Sequence, residues 1–317
     1  MEREVKTYVL KRPAEEATPR TLSIDYAAAL NSQQLAAVTA GDGPSLVIAG
    51  AGSGKTRTLV YRVAYLIDSG VDPSNILLLT FTRKSAQEML ERAGELIGMS
   101  SRRVCGGTFH SVANLLLRRY GRSIGIEPGF TILDRGDAED LIALVRSQLG
   151  LNEKDKRFPR KGTIMEMISK SANTLRSLEE IILEEFSHFA DHLEDLGRLH
   201  KAYETAKRQK QLLDYDDLLV MLRQLLLFDE GARTNISRQY RYILVDEYQD
   251  TNRLQAEVIR QLATTHQNVM VVGDDSQSIY AFRGATFTNI MEFTELFPGT
   301  TVYKLEENYR STEPILN

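Results

Sequence analysis

The sequence predicts an α/β protein built on a mainly parallel, doubly wound sheet, with a helical subdomain inserted into it. Three observations carry that expectation. Six short apolar runs, "SLVIAG", "NILLLTFT", "RVCGGTF", "RYILVDE", "NVMVVGD" and "TVYKL", are mostly followed by helical patterns such as "RKSAQEMLERAGELIG" and "NRLQAEVIRQLATT", and strands that alternate with helices favour parallel pairing. A glycine-rich loop joins the first run to a long amphipathic segment. Across residues 115–213 the texture changes: "AEDLIALVRSQLG", "GTIMEMISKSANTL" and "LGRLHKAYETAKRQKQLL" dominate, and only "FTILD" looks extended.

Taken in order, residues 1–25 mix charges with Pro13 and Pro19 without a sustained period, which reads as a partly ordered leader. The polar Asn31 opens a short helix in "LNSQQLAAV", "SLVIAG" follows as a buried strand, and "KTRTLVYRVAYLIDSG" is the helix after it. The α/β domain is expected over 26–114 and 214–300, with the helical insertion over 115–213 between its two parts. In "LLDYDDLL" three aspartates suggest a metal site, but the pattern fits better a helix start where the chain re-enters the α/β domain. "HKAYETAKRQKQ" reads as a solvated helix face that could also meet duplex DNA.

Bulk properties narrow the function classes. The chain has 317 residues, 26% of them charged and 42% hydrophobic, and no apolar run approaches the roughly 18 residues a membrane span needs. The N-terminus lacks the apolar stretch of a secretory signal, so a cytoplasmic location is the default expectation. Cys105 is the only cysteine, which excludes an internal disulfide framework and multi-cysteine metal sites; its expected place is a buried strand position. Net charge is −4, so any nucleic acid would have to follow a local track rather than a global basic field.

"AGAGSGKT", residues 49–56, lies between strand and helix, the context a phosphate loop requires. Small residues let backbone N–H groups converge on phosphate oxygens, and the helix directs its positive end at the same charge. Lys55 is placed to reach the β- and γ-phosphates of ATP or GTP, and Thr56 to put its hydroxyl on Mg²⁺. Ala49 stands where the strict pattern has its first glycine. "YILVDEYQD" supplies Asp246 for the magnesium shell and Glu247 to polarise the attacking water. "NVMVVGDDSQSIY" brings Asp274, Asp275 and Gln277 to the same crevice, because ligands of such sheets sit at the carboxyl ends of the strands. Asp275 equally suits a helix cap.

Together these motifs resemble the superfamily 1 DNA helicases of the UvrD/Rep/PcrA type, from Leu30 to the end of the chain. "LNSQQLAAV" resembles the Q motif, "LLLTFTRKSAQEM" motif Ia, "GTFHS" motif Ib, "VDEYQDT" motif II, "VGDDSQSIYAFRGA" motif III and "LEENYRST" motif IV. The resemblance implies a RecA-like phosphate-loop NTPase domain, with residues 301–317 opening a second, truncated RecA-like domain. It implies ATP and Mg²⁺ as cofactors, and single-stranded DNA and its junctions with duplex as partners.

Residue by residue, it implies a nucleotide-binding set of Gln34, on the adenine, with Ala51, Gly52, Ser53, Gly54, Lys55, Thr56, Arg57 and Tyr309. Lys55, Glu247, Gln277 and Arg310 would carry catalysis, Arg310 reaching the γ-phosphate across the cleft, while Thr56 and Asp246 would hold the metal. Phe81 and Phe282 would stack on bases, with Thr108, His110 and Arg283 along the same strand path. Stacking contributes about 1–3 kcal/mol per base without reading sequence. Two positions depart from the family pattern: Arg83 replaces the usual asparagine, and Phe282 a common tryptophan.

Competing readings stay open at this stage. Phe81 at a strand end is also an ordinary core aromatic, and His110 a hydrogen-bonded helix-start residue. The leading function is a 3′-to-5′ ATP-dependent DNA motor, of which this chain holds the first RecA-like domain and is unable to unwind alone. Its alternatives are a helicase-like subunit of a repair nuclease and a nucleotide-switched module that grips single strands without moving.

Overall fold

A computed structural model of the chain describes residues 22–98, 103–151, 158–274 and 288–309. Six strands form one sheet: β1 (Ser45–Ala49), β2 (Ile76–Thr80), β3 (Cys105–Thr108), β6 (Tyr242–Val245), β7 (Val269–Gly273) and β8 (Thr301–Leu305). Their order is β3-β2-β6-β7-β1-β8, and every neighbouring pair is parallel. All six expected runs therefore form strands. Parallel neighbours need crossovers, and the crossover helices cover both faces.

That covering explains why the inner strands read as continuous apolar runs. In β2, Leu77 and Leu79 face one core, with α5 (Phe109–Tyr120), α10 (Tyr215–Phe228) and α12 (Arg253–Leu262). Ile76 and Leu78 face the other, with α3 (Lys55–Asp68) and α4 (Arg83–Ile97). Because the strands run the same way, their carboxyl ends all open on one edge, where polar groups are assembled. Cys105 is half-buried in β3.

The insertion packs α6 (Arg135–Gln148), α7 (Lys161–Thr174), α8 (Leu178–Glu185) and α9 (Leu193–Gln209) around their own core, from Leu133 through Ile142, Ile164 and Leu199 to Tyr203. Its neck is a two-stranded parallel ladder of β4 (Thr131–Ile132) and β5 (Leu212–Leu213). Two expected boundaries shift. Leu116, Leu117, Ile126 and Phe130 pack into the sheet core, so the insertion's own core begins at Leu133 rather than near residue 115. Thr301–Leu305, expected to open a second domain, instead pairs with β1 as the edge strand of this sheet.

Asp214 caps α10 through a reciprocal capping box with Asp217, as the helix-start reading of "LLDYDDLL" expected. The solvated-face reading of "HKAYETAKRQKQ" needs correction at one residue. Lys207 is 3% exposed and donates to Asp214 (2.8 Å) and Asp217 (2.7 Å), with Glu204 at 2.9 Å. Tyr203 donates its hydroxyl to the same Asp214 carboxylate at 2.9 Å. No helix among the described residues is long and apolar enough to cross a membrane.

Candidate nucleotide and DNA site

The loop between β1 and α3 turns because two glycines take up left-handed backbone, Gly52 at φ 82° and Gly54 at φ 90°. Gly54 has a second constraint: a Cβ there would stand 2.6 Å from Nε2 of Gln34. Gln34 is 2% exposed and donates that Nε2 to the Ser53 carbonyl at 3.1 Å, while its backbone N–H is capped by Asn31 at 2.7 Å. The helix α2 (Ser32–Val38) thus holds the loop from one side. Ser53 donates its hydroxyl to the Gly50 carbonyl at 2.7 Å. Ala51 lies exposed at the loop tip and Thr56 half-buried on the first turn of α3.

Arg57, on the outer side of that turn, donates to the Ala29 carbonyl at 2.8 Å and stacks over the Tyr61 ring at 4.8 Å. Tyr309 closes the same side. Its backbone N–H donates to the Gly52 carbonyl at 3.0 Å, and its hydroxyl accepts from Nδ2 of Asn31 at 2.7 Å, leaving the ring 61% exposed. Gln34, Tyr309 and the loop are therefore one cluster, joined through Asn31.

Lys55 projects into the carboxylates of the neighbouring strand ends. Its Nζ lies 3.1 Å from Asp274 Oδ2 and 3.5 Å from Glu247 Oε2. Glu247 adopts left-handed backbone at φ 49°, a sparsely populated state for a side chain of this kind and one that clusters at functional turns. Gln249 braces it, donating Nε2 to Glu247 Oε2 at 2.7 Å while its Oε1 accepts the Asp274 backbone N–H at 3.0 Å. The sequence reading missed Gln249. The only signal was its place two residues after Glu247 in "DEYQD", and nothing in that pattern separates a brace from a solvated turn residue.

Asp246 is buried beside this network, and burial together with the Glu247 charge pushes its carboxyl up to about 7. Its Oδ1 is buried without a hydrogen-bond partner among the described residues. An oxygen in that state suits a divalent cation, which would replace the missing partner and favour the ionised form. Among the described residues no group of three or more His, Cys, Asp or Glu could hold a metal. A cation at Asp246 and Thr56 would therefore draw its other ligands from phosphate and water, which is the habit of magnesium.

The DNA-binding candidates lie along the same edge, above β2 and β3. Phe81, Thr108 and His110 line a cavity of about 750 Å³ between the sheet and the insertion. Thr108 caps α5, accepting from the Ser111 N–H at 3.2 Å. His110 meets the Tyr215 ring edge-on, centroids 5.9 Å apart, and Tyr215 is 54% exposed, an aromatic on this wall that the sequence reading did not select. Arg135 and Lys170 also line the cavity and pair with Glu139 and Glu185, whereas Glu166, Asp216 and Asp250 face it too. Asp275, Gln277, Phe282, Arg283 and Arg310, all expected at the site, lie outside the described residues.

Comparison with known proteins places the chain in a family. The family model described as the UvrD/REP helicase N-terminal domain matches residues 30–298. The chain is 41% identical over 293 residues to the ATP-dependent DNA helicase PcrA of Staphylococcus epidermidis, covering 91% of this chain and 39% of the relative. It is 42% identical over 292 residues to the protein of the same name from Bacillus subtilis, covering 90% and 38%. The Staphylococcus aureus counterpart is 38% identical over 289 residues, covering 91% and 39%. The chain thus spans well under half the length of these relatives.

Proposed function

The chain belongs to the UvrD/REP helicase family, and from that premise we propose that it is the ATP-binding, single-strand-gripping part of a 3′-to-5′ DNA motor. The observation that carries the reading is the convergence of Lys55, Glu247 and Asp274 with Asp246 at adjoining strand ends. Lys55 leaves the carboxylates to take the β- and γ-phosphates. Glu247, held by Gln249, accepts a proton from water as its oxygen attacks the γ-phosphorus; the β–γ bridging bond breaks, and ADP and phosphate leave. Thr56 and Asp246 would hold magnesium, which would supply positive charge to the phosphate oxygens. Gln34 and Tyr309 flank the nucleotide, and Gln277 and Arg310 complete the γ-phosphate contacts by resemblance.

Single-stranded DNA would lie in the cavity lined by Phe81, Thr108 and His110, gripped by stacking that does not read sequence. Phe282 and Arg283 extend the path by resemblance. For these residues the proposal is nucleotide binding, single-strand binding and ATP turnover.

Equilibrium titrations separate the two sites. With a fluorescent ATP analogue and a labelled oligo(dT), Lys55→Ala should weaken nucleotide binding by about tenfold or more and leave oligonucleotide affinity in place. Phe81→Ala should do the reverse. A chain that binds neither probe, or loses both in each variant, would overturn the reading.

A further inference from the structure

A side chain of the insertion is hydrogen-bonded to the start of α12, which follows the catalytic turn. Asn173, in the last turn of α7, accepts from Nδ2 of Asn252 at 2.7 Å and donates its own Nδ2 to Asp216 Oδ1 at 2.8 Å and to the Ser169 carbonyl at 2.8 Å. An asparagine amide has two N–H donors. Both are committed to the protein and the oxygen already accepts from Asn252, so this group has no N–H left to donate to a strand in the cavity it borders.

Each partner leads to a different site. Asn252 is buried and caps α12 through a reciprocal box with Gln255. From Asn252 the chain runs back through a hydrogen-bonded turn, Tyr248–Asp250, directly to Glu247: the Asp250 N–H donates to the Glu247 carbonyl at 2.9 Å, and Thr251 donates its N–H and hydroxyl to the Tyr248 carbonyl at 3.0 and 2.6 Å. Tyr248 is itself fixed against Phe293, ring centroids 5.4 Å apart. On the other side, Asp216 adjoins Tyr215, which packs against His110 in the cavity. A rigid polar strut thus spans from the cavity wall to the turn that carries Glu247.

We infer that Asn173 is a positioning residue that couples occupancy of the cavity to the nucleotide site, by tying α7 and Asp216 to the capped start of α12. The inference rests on the function proposed above. Coupling between two sites is a free energy that either ligand reads equally, so it is measurable as a shift in nucleotide affinity on adding DNA. A residue that merely stabilised the insertion would move thermal stability and both affinities without touching their ratio.

The test uses the whole 317-residue chain, a fluorescent ATP analogue and oligo(dT). In the wild type, saturating oligo(dT) should change analogue affinity by about fivefold or more. Asn173→Ala should keep each separate affinity within about twofold of wild type and bring the coupling factor close to one. Asn173→Asp, which sets two carboxylates against each other, should also lose coupling. Combining Asn173→Asp with Asp216→Asn restores a donor facing an acceptor between the two helices, since the amide introduced at position 216 donates to the carboxylate introduced at position 173; the bond given up, to the Ser169 carbonyl, lies within α7 and outside the inferred link. This exchange variant should recover coupling even if the single variants fold poorly.

Coupling that persists in Asn173→Ala, an exchange variant that folds and binds both probes without coupling, or a wild type that binds both probes independently would each overturn the inference while leaving the functional reading intact. A wild type that binds only one probe or neither overturns the functional reading, and this inference falls with it.

Discussion

Lys55 and Asp274 form an ion pair at 3.1 Å in which the aspartate side chain is wholly buried. The pair occupies the ground between the phosphate loop and the strand end that carries Glu247, and Gln249 ties the two carboxylate positions together from below. A buried charge is costly unless paired and hydrogen-bonded, so the lysine and the Gln249 amide together hold this edge of the sheet in place.

Gln249→Leu keeps roughly the volume but removes both bonds, taking the Gln249 acceptor from the Asp274 N–H and the brace from Glu247. ATP turnover should fall by about 10- to 100-fold, because general-base positioning contributes on that scale. Nucleotide affinity should change little, as the Gln249 hydrogen bonds run to Glu247 and the Asp274 backbone. Steady-state kinetics distinguish the outcomes: a drop in kcat at constant KM supports the brace, and a raised KM contradicts it.

Asp246→Asn should abolish the magnesium dependence of nucleotide binding without unfolding the chain. In the wild type the carboxyl sits near 7, so binding the metal displaces a proton. Calorimetry at about pH 6.5, just below that value, in buffers of different ionisation enthalpy should therefore detect proton release in the wild type and none in the variant.

The Lys207 cluster sets one cation against three carboxylates, Glu204, Asp214 and Asp217. Burial would lower the Lys207 ammonium, but the attraction of those carboxylates outweighs it and raises the group. With negative charge in surplus, burial and the neighbouring Asp214 push Asp217 up to about 7. An acid whose folded value lies above its unfolded one, near 3.9, favours the folded state most at low pH. Its contribution should fall as pH rises from about 4 to 7. Urea unfolding across that window should lose this slope in Asp217→Asn, and Lys207→Met should cost about 3–5 kcal/mol at about pH 7.5 by stranding buried carboxylates.

In the cavity lined by Phe81, Thr108 and His110 the described cations, Arg135 and Lys170, already pair with carboxylates. Oligo(dT) affinity should accordingly fall with salt along a shallow slope, about one to two released counterions, and Phe81→Ala or Tyr215→Ala should each cost about 1–3 kcal/mol of stacking. A steep slope with no aromatic dependence would place the strand elsewhere.

Much of this was legible in the sequence because parallel strands covered on both faces leave continuous apolar runs, and all six runs became strands. The phosphate loop was equally legible, since its glycines answer to backbone geometry. Gln249 and Asn173 were not: each works through partners distant in sequence or through a turn whose shape local pattern does not encode. Lys207 looked solvated because the aspartates that bury it lie at the start of the next helix. The insertion boundary was misplaced because Leu116 and Leu117 belong to the sheet core yet have the same helical period as the insertion.

The central claim is that DNA and ATP act on one another in this chain. Phosphate release with and without single-stranded oligonucleotide tests it most directly, in the wild type and in Glu247→Gln. The account predicts slow release that the oligonucleotide accelerates, and its loss in Glu247→Gln while the variant still binds nucleotide. Release indifferent to the oligonucleotide, or unchanged by Glu247→Gln, would contradict it.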